Sequence, residues 1–214
     1  MIAFIIGAGN TDPSFILSQI NSSDDSIVIA CDRGFVACEE AGIIPDCIVG
    51  DFDSAGEAAY DRAVATGSEL VRLNPVKDDT DIEAAMHLAM DKGVDEVVIL
   101  GGTGSRLDHV MGNIGILGLG LVTGIKTWLI DENNRIQMLG ANDNVTISKA
   151  MQYGKYISVF PYASLPAIEM KGFKYPFEGT VEGFNTLTVS NEITEEYATV
   201  CVKSGFLILM ETSD

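Results

Sequence analysis

The hydrophobic period of this chain changes once, near residue 140, and that change limits what it can fold into. Up to about residue 130, short β-rich runs alternate with helical patterns. The runs are 3–6, 27–30, 47–49, 69–73, 96–100 and 126–130. Helices are expected at about 12–20, 34–41, 56–66, 81–91 and 108–119. In the fourth, Ile82, Ala85, Met86 and Ala89 recur at i, i+3, i+4 and i+7 and form one apolar face. Such alternation implies right-handed βαβ units and a mainly parallel sheet with helices on both faces. From about 143 onward the period becomes two, in Val145/Ile147, Ile157/Val159, Ile168/Met170, Val200/Val202 and Leu207/Leu209. Gly and Pro punctuate these runs at short intervals, which reads as a small antiparallel β-sandwich. The predicted fold class is therefore α/β plus all-β, with an α/β domain over 1–140 and a β-sandwich domain over 141–214.

In open α/β sheets, ligands bind beyond the carboxyl ends of the strands, and the acids collect there. The second run leads into Asp32, the third into Asp51 and Asp53, the fourth through Lys77 to Asp78, Asp79 and Asp81, and the fifth to Asp108. Four consecutive strands thus deliver carboxylates to one rim. Two carboxylates about 4 Å apart repel by roughly 4 kcal/mol at an effective dielectric of about 20. Such a cluster needs cations or raised pKa values. Oxygen donors without a matching His or Cys set point to Mg²⁺, bound by few carboxylates and completed by substrate phosphates. Each piece also has a local reading. Asp78, Thr80 and Asp81 suit the start of a helix, and Asp51-x-Asp53-Ser54 suits a turn with a serine cap.

Gly7-Ala8-Gly9 after the first run, with Asp32 ending the second, partly imitates a dinucleotide fingerprint, but the third glycine is missing. No Gly-x-x-x-x-Gly-Lys-Ser/Thr phosphate loop occurs. Gly101-Gly102-Thr103-Gly104-Ser105-Arg106 is better placed, since small residues open the fifth helix, where backbone N–H groups and Arg106 could hold phosphate oxygens. His109, near a helix start, reads as a structural histidine ahead of a catalytic one, and Trp128 as core rather than a stacking platform.

The net charge of −18 disfavours nucleic acid and anionic membrane and favours a cationic substrate. Cysteines 31, 38, 47 and 201 show no zinc-type spacing and read as reduced thiols of a cytoplasmic protein. The first residues form a strand rather than a signal peptide. The longest apolar stretch, 110–125, is interrupted by Asn113 and five glycines and falls short of a membrane span.

Asp32-Arg33-Gly34, Pro45-Asp46-Cys47-Ile48-Val49-Gly50-Asp51-Phe52-Asp53-Ser54, Lys77-Asp78-Asp79-Thr80-Asp81 and Gly104-Ser105-Arg106-Leu107-Asp108-His109 resemble, in this order, the bacterial thiamine pyrophosphokinases. Gly172-Phe173-Lys174-Tyr175-Pro176 and Val189-Ser190-Asn191-Glu192 look like that family's substrate-domain signatures. The resemblance implies a homodimer that transfers the β,γ-diphosphate of ATP to the thiamine hydroxyl and releases AMP. It implies Asp51, Asp53 and Asp81 as Mg²⁺ ligands, with Asp32 and Asp78 completing the catalytic cluster. Asp78 or Asp81 could orient or deprotonate the hydroxyl. Thr80, Gly104, Arg106, Asp108 and His109 would lie along the nucleotide, and Ser190 and Asn191 would reach thiamine. The residues alone leave three rivals: diphosphate transfer to another hydroxymethyl heterocycle such as a pterin, a nicotinamide-dependent oxidoreductase, and a non-catalytic thiamine or nucleotide sensor.

Overall fold

The computed structural model describes residues 1–9, 11–50, 57–73, 80–183 and 186–214. The chain divides into two compact units, Met1–Glu132 and Asn133–Asp214. In the first unit the strands are β1 (Ile2–Ile6), β2 (Ser26–Cys31), β3 (Cys47–Gly50), β4 (Glu69–Arg72), β5 (Glu96–Leu100) and β6 (Lys126–Ile130). The helices are α1 (Pro13–Ile20), α2 (Gly34–Glu40), α3 (Glu57–Thr66), α4 (Asp81–Asp91) and α5 (Leu107–Thr123). The strands pair in parallel in the order β6-β5-β1-β2-β3-β4. Burial is nearly continuous along β1, β2, β3 and β5 rather than alternating, so helices cover both faces of the sheet. The α/β expectation is met.

Local chemistry explains the helix boundaries. Pro13 opens α1, and the Asp12 carboxylate caps it by accepting from Ser14 N at 2.7 Å. Thr80 caps α4, its hydroxyl oxygen accepting from Glu83 N at 3.2 Å. Ala85, Met86 and Ala89 of α4 are buried, while Ile82, on the same face, is only half-buried. α5 runs past the expected end at 119 to Thr123 and stops at Gly124, whose φ of 78° closes the helix in the left-handed conformation. Its glycines do not break it because packing outweighs propensity: a Cβ on Gly120 would stand 2.0 Å from Thr127 Oγ1 of β6.

The second unit is built from β7 (Asn134–Leu139), β8 (Asn144–Ser148), β9 (Tyr156–Lys171), β10 (Phe177–Thr180) and β11 (Tyr197–Thr212). β7 lies on the C-terminal side of the division, ahead of the boundary expected at 140. The short runs Ile157/Val159 and Ile168/Met170 are two halves of one strand, as are Val200/Val202 and Leu207/Leu209. Both strands are irregular at the same level, where Ala163 has φ 55°, Gly205 has φ 79° and the β9–β11 register shifts. The first half of β9 and the last of β11 pair together, with β7 beside β11. The other halves pair with each other, flanked by β8 and β10. Ile157, Val159, Ile168, Met170, Val200, Val202, Leu207 and Leu209, from both sets of halves, share one core. An antiparallel β unit thus forms around two long bent ribbons.

Gly34 touches the end of β1 so closely that a Cβ there would stand 2.0 Å from Ile6 O. Gly112, inside α5, has nothing within 4 Å of the same position. Gly34→Ala should therefore destabilise the protein by about 1–3 kcal/mol, whereas Gly112→Ala should stabilise it by roughly 0.5–1 kcal/mol. Urea denaturation of the two variants measures both; shifts of the same sign would contradict this packing.

Candidate active site

The carboxyl ends of β1, β2 and β5 surround a cleft of about 790 Å³. Its lining comes from the turn after β1 (Ala8, Gly9), Arg33 after β2, Ile82 at the start of α4, the loop Gly101–Arg106 after β5, and the first turns of α5. This is where an open parallel sheet places ligands. It also explains why Ile82 stays half-buried, since its side chain forms part of the wall.

Bare backbone forms the floor. Gly7 N donates to Leu100 O and Gly9 N to Gly101 O, both at 2.7 Å, so the β1–β5 ladder continues beyond both strands. A Cβ on Gly9 would stand 2.0 Å from Thr103 O, and Gly101 has φ 64°. Glycine is therefore required by close approach at one position and by conformation at the other. Two side chains hold the loop. Buried Asn113 donates from Nδ2 to Gly102 O at 2.6 Å, and Thr103 donates to Asp131 Oδ2 at 2.8 Å. Both holders escape the motifs. Asn113 is a lone amide inside an apolar helix, and Asp131 follows β6 as the other acids follow their strands.

The helix ends at this rim differ. α1 and α4 are closed by their own side-chain caps, Asp12 and Thr80. The Ser14 hydroxyl and amide hold the Asp12 carboxyl below the usual carboxylate range, so it is ionised at neutral pH. A dinucleotide pyrophosphate would need the α1 end that this carboxylate already occupies, which counts against the oxidoreductase reading. α5 has no side-chain cap bond at Arg106; in its first turn the Asp108 carboxylate accepts from His109 N at 3.0 Å, and the Gly101–Arg106 loop ahead of it lines the cleft with backbone suited to phosphate.

Among the expected site residues, Asp32 ends β2 with φ 51°, and a Cβ on Gly50 would stand 3.0 Å from its Oδ1. Cys31 Sγ donates to Asp81 O at 3.5 Å, which brings the start of α4 against the end of β2. Asp32 and Asp81 thus share one side of the rim. Gly104, Arg106 and His109 line the cleft, and Asp108 binds Arg106 through two contacts, Nη2–Oδ2 at 2.7 Å and Nε–Oδ1 at 3.3 Å. That guanidinium is the main cause holding the Asp108 carboxyl below its usual range. Asp51, Asp53 and Asp78 lie outside the described residues. Among the described residues no group of three or more His, Cys, Asp or Glu side chains could hold a metal ion.

In the second unit, Ser190 is exposed with φ 57°, its amide donating to the buried Ser158 Oγ at 2.9 Å. Asn191 is buried. Its Oδ1 accepts from Tyr175 N and Glu192 N, at 3.1 and 3.0 Å, and its Nδ2 donates to Tyr175 O at 2.7 Å. The asparagine therefore clamps the backbone beneath Tyr175, whose ring is exposed.

Residues 19–129 match the family model of the thiamin pyrophosphokinase catalytic domain, and residues 144–207 that of the thiamin pyrophosphokinase vitamin B1 binding domain. The thiamine pyrophosphokinase of Bacillus subtilis is 35% identical over 195 residues, covering 90% of each chain. The chain belongs to the thiamine pyrophosphokinase family. Among solved structures, the Bacillus subtilis thiamine pyrophosphokinase superposes over 100% of both chains with a TM-score of 0.87 at 32% identity. The thiamin pyrophosphokinase of Geobacillus thermodenitrificans does so with a TM-score of 0.84 at 26% identity, over 100% of this chain and 98% of the other. The two family models fall one in each compact unit, which places the cleft in the catalytic domain of a thiamine pyrophosphokinase.

The Arg106–Asp108 pair is open to measurement in the free enzyme. Asp108 has its folded pKa depressed, so the pair holds above the unfolded carboxylate pKa and is lost as pH falls through the folded value. In Arg106→Met, the Asp108 carboxyl should titrate at a higher pH than in wild type, because the largest cause of its depression is gone. Carboxyl-detected NMR titration reads this directly; an unmoved titration would show that Arg106 does not hold Asp108.

Proposed function

We infer that this enzyme transfers the β,γ-diphosphate of ATP to the hydroxyl of thiamine, giving thiamine diphosphate and AMP. The observation that carries the ATP half is the cleft, where a glycine floor, the Gly101–Arg106 loop leading into α5 and two guanidiniums converge on one anion-sized space. The thiamine half rests on the match of the second unit to a vitamin B1 binding domain.

Transfer of this kind is mostly positioning and charge neutralisation. The hydroxyl oxygen attacks the β-phosphorus, the bond from that phosphorus to the α–β bridging oxygen breaks, and AMP leaves with the bridging oxygen. The hydroxyl proton passes to a carboxylate of the rim; Asp81, beside the end of β2, is one candidate and Asp78 the other. Backbone amides of Gly102–Ser105 and Arg106 would hold the polyphosphate, with Asp108 fixing Arg106 in place. Thr80, whose hydroxyl caps α4, would act by setting the position of Asp81.

The carboxylates suit Mg²⁺ by donor chemistry. Asp32 and Asp81 offer hard oxygens at one side of the rim, and β3 leads into Asp51 and Asp53 from Gly50, which leaves room for the Asp32 carboxylate. Mg²⁺ would be held by Asp51, Asp53 and Asp81 with Asp32 and Asp78 nearby, and when bound it would neutralise charge on the phosphates.

In the second unit, the Ser190 hydroxyl and the Tyr175 ring are the exposed groups suited to thiamine, and Asn191 sets the backbone that carries Tyr175. An aromatic face suits a thiazolium cation. A homodimer and a cytoplasmic setting complete the reading, the latter supported by four cysteines that form no disulfide. Burial pushes the Cys38 thiol up to about 12, which leaves it inert at neutral pH.

Incubation with thiamine, ATP and Mg²⁺, followed by chromatography, should yield thiamine diphosphate and AMP in equal amounts and stop with EDTA. ADP with thiamine monophosphate would contradict attack at the β-phosphorus. Asp53→Ala and Asp81→Ala should each lower turnover by at least about 100-fold with unchanged circular dichroism; near-normal turnover would remove the carboxylates from the mechanism. Conversion of a hydroxymethyl pterin but not thiamine would favour the rival substrate.

A further inference from the structure

The family motifs give Arg33 no role, yet it lines the cleft. β1 pairs with β2 on one side and β5 on the other, so Arg33 and Arg106 reach the cleft from opposite flanks of the Gly7–Gly9 turn. They differ in what holds them. Arg106 commits Nε and Nη2 to Asp108. The exposed guanidinium of Arg33 makes no ion pair or hydrogen bond among the described residues, which leaves its planar fork for a ligand.

The base of the Arg33 side chain is nevertheless rigid. Its carbonyl accepts from Val36 N at 3.0 Å, and the next residue, Gly34, is seated against Ile6 O. Arg33 thus presents an exposed fork on a fixed backbone, next in the chain to Asp32. The Asp81 carbonyl accepts from Cys31 Sγ on the same side, so Asp32 and Asp81 both belong to the Arg33 flank, whereas Asp108 lies on the Arg106 flank. A guanidinium with no partner among the described residues, on the same flank as Asp32 and Asp81, fits a site whose third member is a polyanion with its own cation.

We propose that Arg33 clamps the diphosphate that is transferred, while Arg106 serves the part of ATP that leaves as AMP. This rests on the reading of the cleft as the ATP site. The two guanidiniums then divide the polyphosphate at the bond that breaks. The fork of Arg33 grips two oxygens of the group passing to the acceptor and keeps its phosphorus in line with the incoming hydroxyl.

The test is calorimetric titration of wild type, Arg33→Met and Arg33→Lys with AMP and with α,β-methylene-ATP, each with Mg²⁺ and without thiamine. Arg33→Met should bind the ATP analogue about tenfold or more weakly, yet bind AMP within about twofold of wild type. Arg33→Lys should recover part of the loss, because charge is restored without the fork. Equal weakening for both ligands, or none for either, would overturn the assignment. The titrations are independent of the acceptor. If wild type makes no thiamine diphosphate, the reaction assignment falls while the ligand contrast still judges Arg33. If wild type turns over and the contrast is missing, only the role of Arg33 falls.

Discussion

Two short backbone hydrogen bonds, Gly7 N to Leu100 O and Gly9 N to Gly101 O, carry the β1–β5 ladder past the last residue of each strand. The rest of the site depends on them. They bring two turns so close that a single methyl group on Gly9 would overlap Thr103 O. That closeness turns the Gly101–Arg106 loop across the sheet end and opens the start of α5 on the cleft. Asn113, from the cleft wall, and Asp131 then hold the loop, so its amides are oriented before any ligand arrives. Preorganisation of this kind matters most where catalysis is mainly electrostatic.

Charge at the rim is sorted by strand. Asp32 and Asp81 gather at the end of β2 with Arg33, whereas Arg106 and Asp108 form a closed pair beyond β5. The helix ends follow the same division. α1 and α4 are stopped by their own caps, and α5 is left to face the cleft. A chain of net charge −18 can therefore bind an anion, because it exposes only a few donors and places them together.

Much of this architecture was legible in the sequence because strands and helices advertise their periods. The α/β unit shows this best, since its strands are buried on both faces and read as short apolar runs. The bent ribbons of the second unit did not read as single strands, because Ala163 and Gly205 interrupt the alternation where both change direction. Gly7-Ala8-Gly9 looked like part of a dinucleotide fingerprint; its glycines answer to the β5 loop instead, and the α1 end is closed by Asp12. Asp32, Asp81 and the β5–α5 residues were visible as acids, glycines and an arginine after strands. Asn113 and Asp131 were not, because a supporting side chain shows itself only once its neighbour is known, and Arg33 stood inside a motif without a role of its own. The buried amide of Asn191 makes the same point, as its hydrogen bonds to Tyr175 depend on a turn that no spacing reveals.

The central claim is that the glycine-floored cleft of the first unit is where ATP binds. An amide NMR titration of the assigned enzyme with ATP and Mg²⁺, in the absence of thiamine, tests it most directly. The account expects the largest shifts at Gly9, Gly101–Ser105 and the first turn of α5. Shifts centred on Tyr175, Ser190 and Asn191, with the β5–α5 loop unmoved, would contradict it.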